Sequence, residues 1–160
     1  MLYDVAHQVM GIHQSTVIVL LVLCAFFSLS IYGQPAEVRR RYEHFLTQHV
    51  YGAMTEQRCD RVIRERRITQ SETSNNCKEV NTFIQANSNE VRAVCTGGGT
   101  RLPENRDLYI SENGFPVVMC TLRSGGRRPN CNYRGGTSFR KIVVACEGGW
   151  PVHYQEGVIL

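Results

Sequence analysis

The run Cys77-Lys78-Glu79-Val80-Asn81-Thr82-Phe83 sets a lone lysine beside a cysteine and a hydroxyl-bearing threonine four residues further on, in a β-prone stretch. A lysine ammonium is a compact point charge that can hold an anion, and a threonine hydroxyl can both donate and accept a hydrogen bond. Only two of the 18 basic residues are lysines, Lys78 and Lys141, so an ammonium at position 78 stands out in a chain that otherwise uses arginine. Two histidines extend the set: His49 in Gln48-His49, and His153 in Pro151-Val152-His153. Imidazole, with an unperturbed pKa of about 6.5, can take or give a proton near neutral pH. Two imidazoles and a cation suit a reaction that removes a proton from one oxygen, returns one to another and builds negative charge on an anion. A histidine on an apolar helix face, taken alone, is more often a satisfied core residue, and His44 takes that reading.

The elements that must position these groups follow from periodicity. Pro35 to Tyr51 reads as a helix, with Pro35 suited to the first turn and Glu37 favourable near the amino end. Tyr42, Phe45, Leu46, His49 and Val50 recur at helical spacing on one face, which turns His49 toward the body of the protein. A second helix is expected over Cys59 to Arg67, burying Cys59, Val62 and Ile63 with Arg58, Arg61, Arg64 and Arg67 outward. Val80 to Ile84 is β-branched and aromatic, hence a strand, and Asn87 with Glu90 is a capping signal for a third helix ending at Cys95. After Gly97-Gly98-Gly99, strands are expected at Asp107–Ser111, Phe115–Leu122, Ser138–Glu147 and Pro151–Val158, separated by Gly, Pro and Asn turns. Helices first and antiparallel strands after predict a small single α+β domain.

The first 33 residues carry no Lys or Arg and hold an apolar run of 11 residues, Val17 to Phe27. That is short of the roughly 20 needed to span a bilayer. With Ser28, Ser30 and Gly33 following, residues 1–33 read as a secretory signal peptide, with Met10 a candidate true start, and 34–160 as the functional domain. Removing 1–33 takes away one acid, Asp4, and no base, lifting the formal net charge from +4 to +5. A basic secreted domain suits a polyanionic partner such as RNA, glycosaminoglycan or a bacterial surface, although a merely solvated basic face has the same composition. Six cysteines remain, at 59, 77, 95, 120, 131 and 146, and an even count in a short secreted domain means three disulfides far more often than a metal site. No pair has the two-residue gap of a zinc knuckle, and spacing alone does not choose among the 15 connectivities.

The seven-residue run, Gln48-His49 and Pro151-Val152-His153, in this order and cysteine frame, resemble the pancreatic-type ribonucleases across nearly all of residues 34–160. Arg41-Tyr42-Glu43-His44-Phe45-Leu46-Thr47-Gln48-His49, Val143-Val144-Ala145-Cys146-Glu147 and the three-disulfide count resemble the angiogenin-like branch in particular. The resemblance implies three short helices and a bent antiparallel sheet around a central cleft, with pairs Cys59–Cys120, Cys77–Cys131 and Cys95–Cys146. It implies metal-independent, cofactor-free cleavage of single-stranded RNA, tRNA included, after pyrimidines by a monomer. His49 would be the base, His153 the acid and Lys78 the stabiliser of phosphoryl charge, with Gln48, Asn81, Thr82, Tyr154 and Gln155 binding substrate. Thr82, able to donate and accept, would read either cytosine or uracil.

The chain departs from the family in places. The family usually follows its second histidine by one residue and then Asp, whereas Gln155 and Glu156 stand here, so the orienting carboxylate is absent or displaced by one residue. His44 and Thr47 stand where the digestive enzymes carry phosphate-binding Lys and Arg, which implies modest turnover and keeps open an angiogenic or antimicrobial effector role. Basic clusters at Arg39-Arg40-Arg41, Arg64-Glu65-Arg66-Arg67 and Arg127-Arg128 could serve anionic cell surfaces or bacterial membranes. The second lies at the angiogenin nuclear-delivery segment but is interrupted by Glu65.

Overall fold

Helix α1, Ala36–His49, buries Val38, Phe45 and His49 and lays Tyr42 and Leu46 half-buried against the same core, as the spacing predicts. It stops two residues short of the expected Tyr51. Val50 leaves the helix to bridge Ile84 in parallel, and the Tyr51 N–H donates to the Ile84 carbonyl at 3.0 Å. The computed structural model describes residues 17–19 and 35–158, so the expected signal segment lies almost wholly outside the described residues. No helix among the described residues is long and apolar enough to cross a membrane.

After a single turn at Glu56–Arg58, helix α2 runs Cys59–Glu65, shorter than the expected Cys59 to Arg67. Arg67 takes a left-handed φ of 54°, which lets the Arg67 and Ile68 N–H groups bond back to the Arg64 and Ile63 carbonyls at 3.2 and 3.0 Å. This pairing is a helix stop usually built on glycine, fixed here by Ile68 packing in the core beside Ile63. Helix α3, Ser88–Ala93, starts on the expected box: Asn87 accepts from the Asn89 and Glu90 amides, and Glu90 accepts from the Asn87 amide.

The strands are β1 (Val80–Ile84), β2 (Gly99–Arg101), β3 (Leu108–Ser111), β4 (Phe115–Ser124), β5 (Asn132–Arg140), β6 (Val143–Glu147) and β7 (Trp150–Tyr154). They form an antiparallel sheet β1-β4-β5 and an antiparallel sheet β2-β3-β6-β7. The expected strand Ser138–Glu147 is thus two strands in different sheets, and Asn132–Thr137, which lay outside the expected strands, is the body of β5. Its glycines weaken intrinsic strand preference, but full-length pairing with the ten-residue β4 overrides this. Gly135 has a packing reason: a Cβ there would lie 2.4 Å from Glu56 Cα.

Strand β1 is buried on both faces. Phe83 joins Val118, Cys59, Val62 and Ile63 in one core cluster, while Ile84 joins Phe45, Val117, Val144 and Tyr154 in the other. The strand is therefore pinned between α1, α2 and β4, and its polar residues Asn81 and Thr82, both fully buried, have fixed positions. Disulfides Cys59–Cys120, Cys77–Cys131 and Cys95–Cys146 form as the resemblance implied. Closing loops of 61, 54 and 51 residues, each contributes about 4 kcal/mol in the chain-entropy view.

Candidate functional site

The carboxyl end of α1 and strand β1 meet through polar bonds that leave little freedom. The Asn81 side-chain amide donates to the Gln48 carbonyl at 2.9 Å, and its oxygen accepts from Lys78 Nζ at 2.8 Å. Lys78 Nζ also reaches Gln48 Oε1 at 3.4 Å. The Tyr133 hydroxyl donates to the Lys78 carbonyl at 2.8 Å, holding the backbone from which the ammonium projects.

His49 is buried, with Nδ1 lying 2.8 Å from the Thr82 carbonyl. A carbonyl only accepts, so Nδ1 carries the proton and Nε2 is left with a free lone pair. The ring stacks on Tyr154 at 5.0 Å between centroids and tilts against Phe45 at 5.6 Å. Burial, with the Lys78 charge adding to it and the Thr82 carbonyl opposing, holds its pKa far below 6.5, at about 3. The imidazole is therefore neutral. Burial also lowers the Lys78 pKa, against the attraction of Glu156.

His153 sits on β7 opposite Ala145 and is exposed, beside a cleft of about 440 Å³ lined by Arg41, Asn105, Asp107, Glu147 and Gln155 among others. Its pKa is lowered, first by partial burial and then by Lys78 and Arg41, while Glu156 pulls the other way. Among the described residues its ring has no hydrogen-bond partner. Of the two carboxyl-terminal candidates for orienting it, only Glu156 has its side chain engaged elsewhere. The Gln155 backbone N–H donates to the Val143 carbonyl while its side-chain amide has no hydrogen-bond partner among the described residues, and Glu156 turns to Thr82, accepting from the Thr82 N–H at 2.7 Å and from its hydroxyl at 2.6 Å. The idea that Glu156, one residue late, swings round to His153 is thus not what the fold does with that carboxylate.

Arg140, at the end of β5, was not singled out in the sequence. Its Nη2 lies 3.5 Å from Thr82 Oγ1 and 3.4 Å from the Tyr154 hydroxyl, and its Nε is buried without a partner. No local pattern marks it, because only the β4–β5 register carries it to Thr82. Burial raises the Tyr154 pKa, with Arg140 opposing.

The basic clusters divide. Arg39 pairs with Glu43, Arg40 with Glu37 and Glu72, and Arg41 with Glu147. Arg66 lies under α1, donating to the Thr47 and Val50 carbonyls at 2.8 and 3.1 Å with its guanidinium over the Tyr51 ring, so it caps a helix rather than joining a surface patch. Arg58, expected to point outward, is half-buried and donates to the Ala53 carbonyl at 2.9 Å. His44, read as a core histidine, instead lies part-exposed 3.3 Å from Glu72. Among the described residues, Arg64, Arg67, Arg127 and Arg128 have no carboxylate at ion-pair distance, and no His, Cys, Asp and Glu cluster could hold a metal ion.

Residues 40–155 match the family model for pancreatic ribonuclease. The chain is 73% identical over 151 residues to Ribonuclease-like 3 of Danio rerio, covering 94% of this chain and all of the relative. It is 42% identical over 123 residues to Angiogenin-4 of Mus musculus, covering 74% of this chain and 80% of the relative. The solved structure RNASE ZF-3E superposes with a TM-score of 0.73 at 72% identity, covering 76% of this chain and 99% of that one. The chain belongs to the pancreatic ribonuclease family, close to its angiogenin-like branch.

Proposed function

We propose that the protein is a secreted endoribonuclease that cuts single-stranded RNA on the 3′ side of pyrimidines without a metal ion. The observation that supports this most is the bond from His49 Nδ1–H to the Thr82 carbonyl, which leaves Nε2 as a neutral base beside the Lys78 ammonium. In this reading His49 Nε2 takes the proton from the ribose 2′-hydroxyl, whose oxygen attacks the adjacent phosphorus. Protonated His153 gives a proton to the departing 5′-oxygen, leaving a 2′,3′-cyclic phosphate. Lys78, held by Asn81 and Gln48, faces the charge that grows on the phosphoryl oxygens, and Gln48 donates to one of them. The Thr82 N–H and hydroxyl read the base, and Tyr154 and Gln155 flank it.

The test is cleavage of tRNA and of a cytidine-containing oligonucleotide by the purified protein in excess chelator. Cutting of RNA, with none of a DNA of the same sequence, is the expected result, because DNA lacks the attacking 2′-hydroxyl. Abolition by chelator would overturn the reading.

A second role, as a cationic angiogenic or antimicrobial effector of modest enzymatic activity, is favoured by one observation: the Glu156 carboxylate occupies both base-reading groups of Thr82. An entering base must displace it. In this reading, attachment to glycosaminoglycans or bacterial membranes rests on Arg64, Arg67, Arg127 and Arg128 more than on the ion-paired Arg39–Arg41.

A further inference from the structure

We propose that Arg140 is a positioning residue that biases the base site toward cytosine over uracil, acting through the Thr82 hydroxyl. This rests on the ribonuclease reading above and deepens it. A carboxylate only accepts hydrogen bonds, so with Glu156 in place the Thr82 hydroxyl is a donor, as is the Thr82 N–H. The two carboxylate oxygens stand in for a ligand edge that offers two adjacent acceptors. Cytosine has such an edge, O2 beside the bare nitrogen N3. Uracil offers O2 beside N3–H, an acceptor beside a donor.

What Thr82 Oγ1 does once Glu156 leaves depends on its remaining neighbours. Arg140 Nη2, at 3.5 Å, can only donate, and it takes up a hydroxyl lone pair. The residue paired with Thr82 across β4 is Met119, whose thioether is at best a weak acceptor. The Tyr154 hydroxyl is a neighbouring oxygen able to accept, and it lies 3.4 Å from the same Arg140 nitrogen. Cytosine replaces the carboxylate without disturbing this arrangement: O2 accepts from the N–H, N3 from the hydroxyl, and Arg140 still donates to Oγ1. Uracil requires the hydroxyl to turn so that Oγ1 accepts from N3–H. Its own proton then faces the Arg140 donor and must share the Tyr154 oxygen with it. A partly unmet hydrogen bond in a buried site is worth about a tenfold discrimination.

The experiment measures binding of cytidine 3′-monophosphate and uridine 3′-monophosphate by calorimetry, with kcat/KM for CpA and UpA beside it. The wild type should favour the cytidine ligand and substrate by about tenfold. Arg140→Gln, which supplies an acceptor oxygen, should bring the ratio to within about threefold of unity, and Arg140→Lys, still a donor only, should keep it. Met119→Asp, which places an acceptor across from Thr82, should lower the ratio as well and does not depend on Arg140 variants folding. A wild-type ratio at or below one, or a ratio unmoved by both Arg140→Gln and Met119→Asp, would overturn the proposal. So would selective loss of uridine binding in Arg140→Gln, which would mean that the guanidinium reads O4 of uracil directly. Binding of neither nucleotide would also overturn it. Nucleotide binding with the expected preference but without cleavage would sink the ribonuclease reading while leaving the base preference standing.

Discussion

His49 and His153 place the same side chain in opposite settings. His49 is buried, stacked on Tyr154 and fixed by the Thr82 carbonyl, whereas His153 is exposed beside an open cleft with no partner among the described residues. The difference follows from their elements. The end of α1 is clamped to β1 by Asn81, Lys78 and the Val50–Ile84 bridge, while His153 projects from β7 at an irregularity in the β6–β7 pairing. The fold thus dictates the tautomer of one imidazole and leaves the orientation of the other to the ligand. Where the family resemblance leads one to expect a carboxylate behind His153, the one closest to it in sequence, Glu156, is spent on Thr82.

The largest effects should come from deleting either ring. His49→Ala and His153→Ala should each lower kcat/KM on a dinucleotide at least about a hundredfold. Thermal unfolding separates them: His49→Ala, which empties a buried stacked site, should lower Tm clearly, and His153→Ala should leave stability within about 0.5 kcal/mol. Equal loss of Tm in both would contradict the contrast.

Opening the base site comes next. Glu156→Ala frees the Thr82 N–H and hydroxyl and should raise kcat/KM on CpA by about tenfold, the scale of one charge-assisted hydrogen bond no longer to be broken. A large loss instead would mean that Glu156 serves His153 during turnover.

A smaller gain is expected from Gln155→Asp, about threefold, at the low end of what a partner behind a reacting imidazole contributes. A carboxylate there favours the imidazolium, raising the His153 pKa and carrying activity to higher pH. A pH–rate profile whose alkaline limb stays in place would show that position 155 does not reach the ring.

The subtlest difference lies in folding stability. His49 has its pKa depressed in the fold, so the unfolded chain binds a proton that the folded one refuses. Its stabilising contribution is complete above about pH 6.5 and is lost progressively as pH falls from there toward about 3. Denaturant titrations should show stability falling across this window, and His49→Gln should flatten the fall, whereas His153→Gln should change it less.

Much of this could be read without coordinates. The Phe45, Leu46, His49 spacing, the Asn87 and Glu90 box, and the β-branched Val80–Ile84 run are local patterns, and local patterns set local conformation. The Gln48-His49, Lys78 and His153 motifs, which carry the proposed reacting groups, were visible for the same reason, since each occupies a few contiguous residues. The strand status of Asn132–Thr137 was illegible because its glycines argue against a strand until β4 pairs with it. The neutral His49 and its tautomer, Arg66 as a helix cap, and the meeting of Glu156, Arg140 and Thr82 were equally hidden. Those last three lie 58 to 74 residues apart in pairs with Thr82, and hydrogen bonds across such separations exist only once β1, β5 and the end of β7 have been brought together. Residue types and spacing determined which reactive groups this protein carries; tertiary packing alone decided which of those polar groups remain free, because a donor or acceptor is defined by what else is within reach.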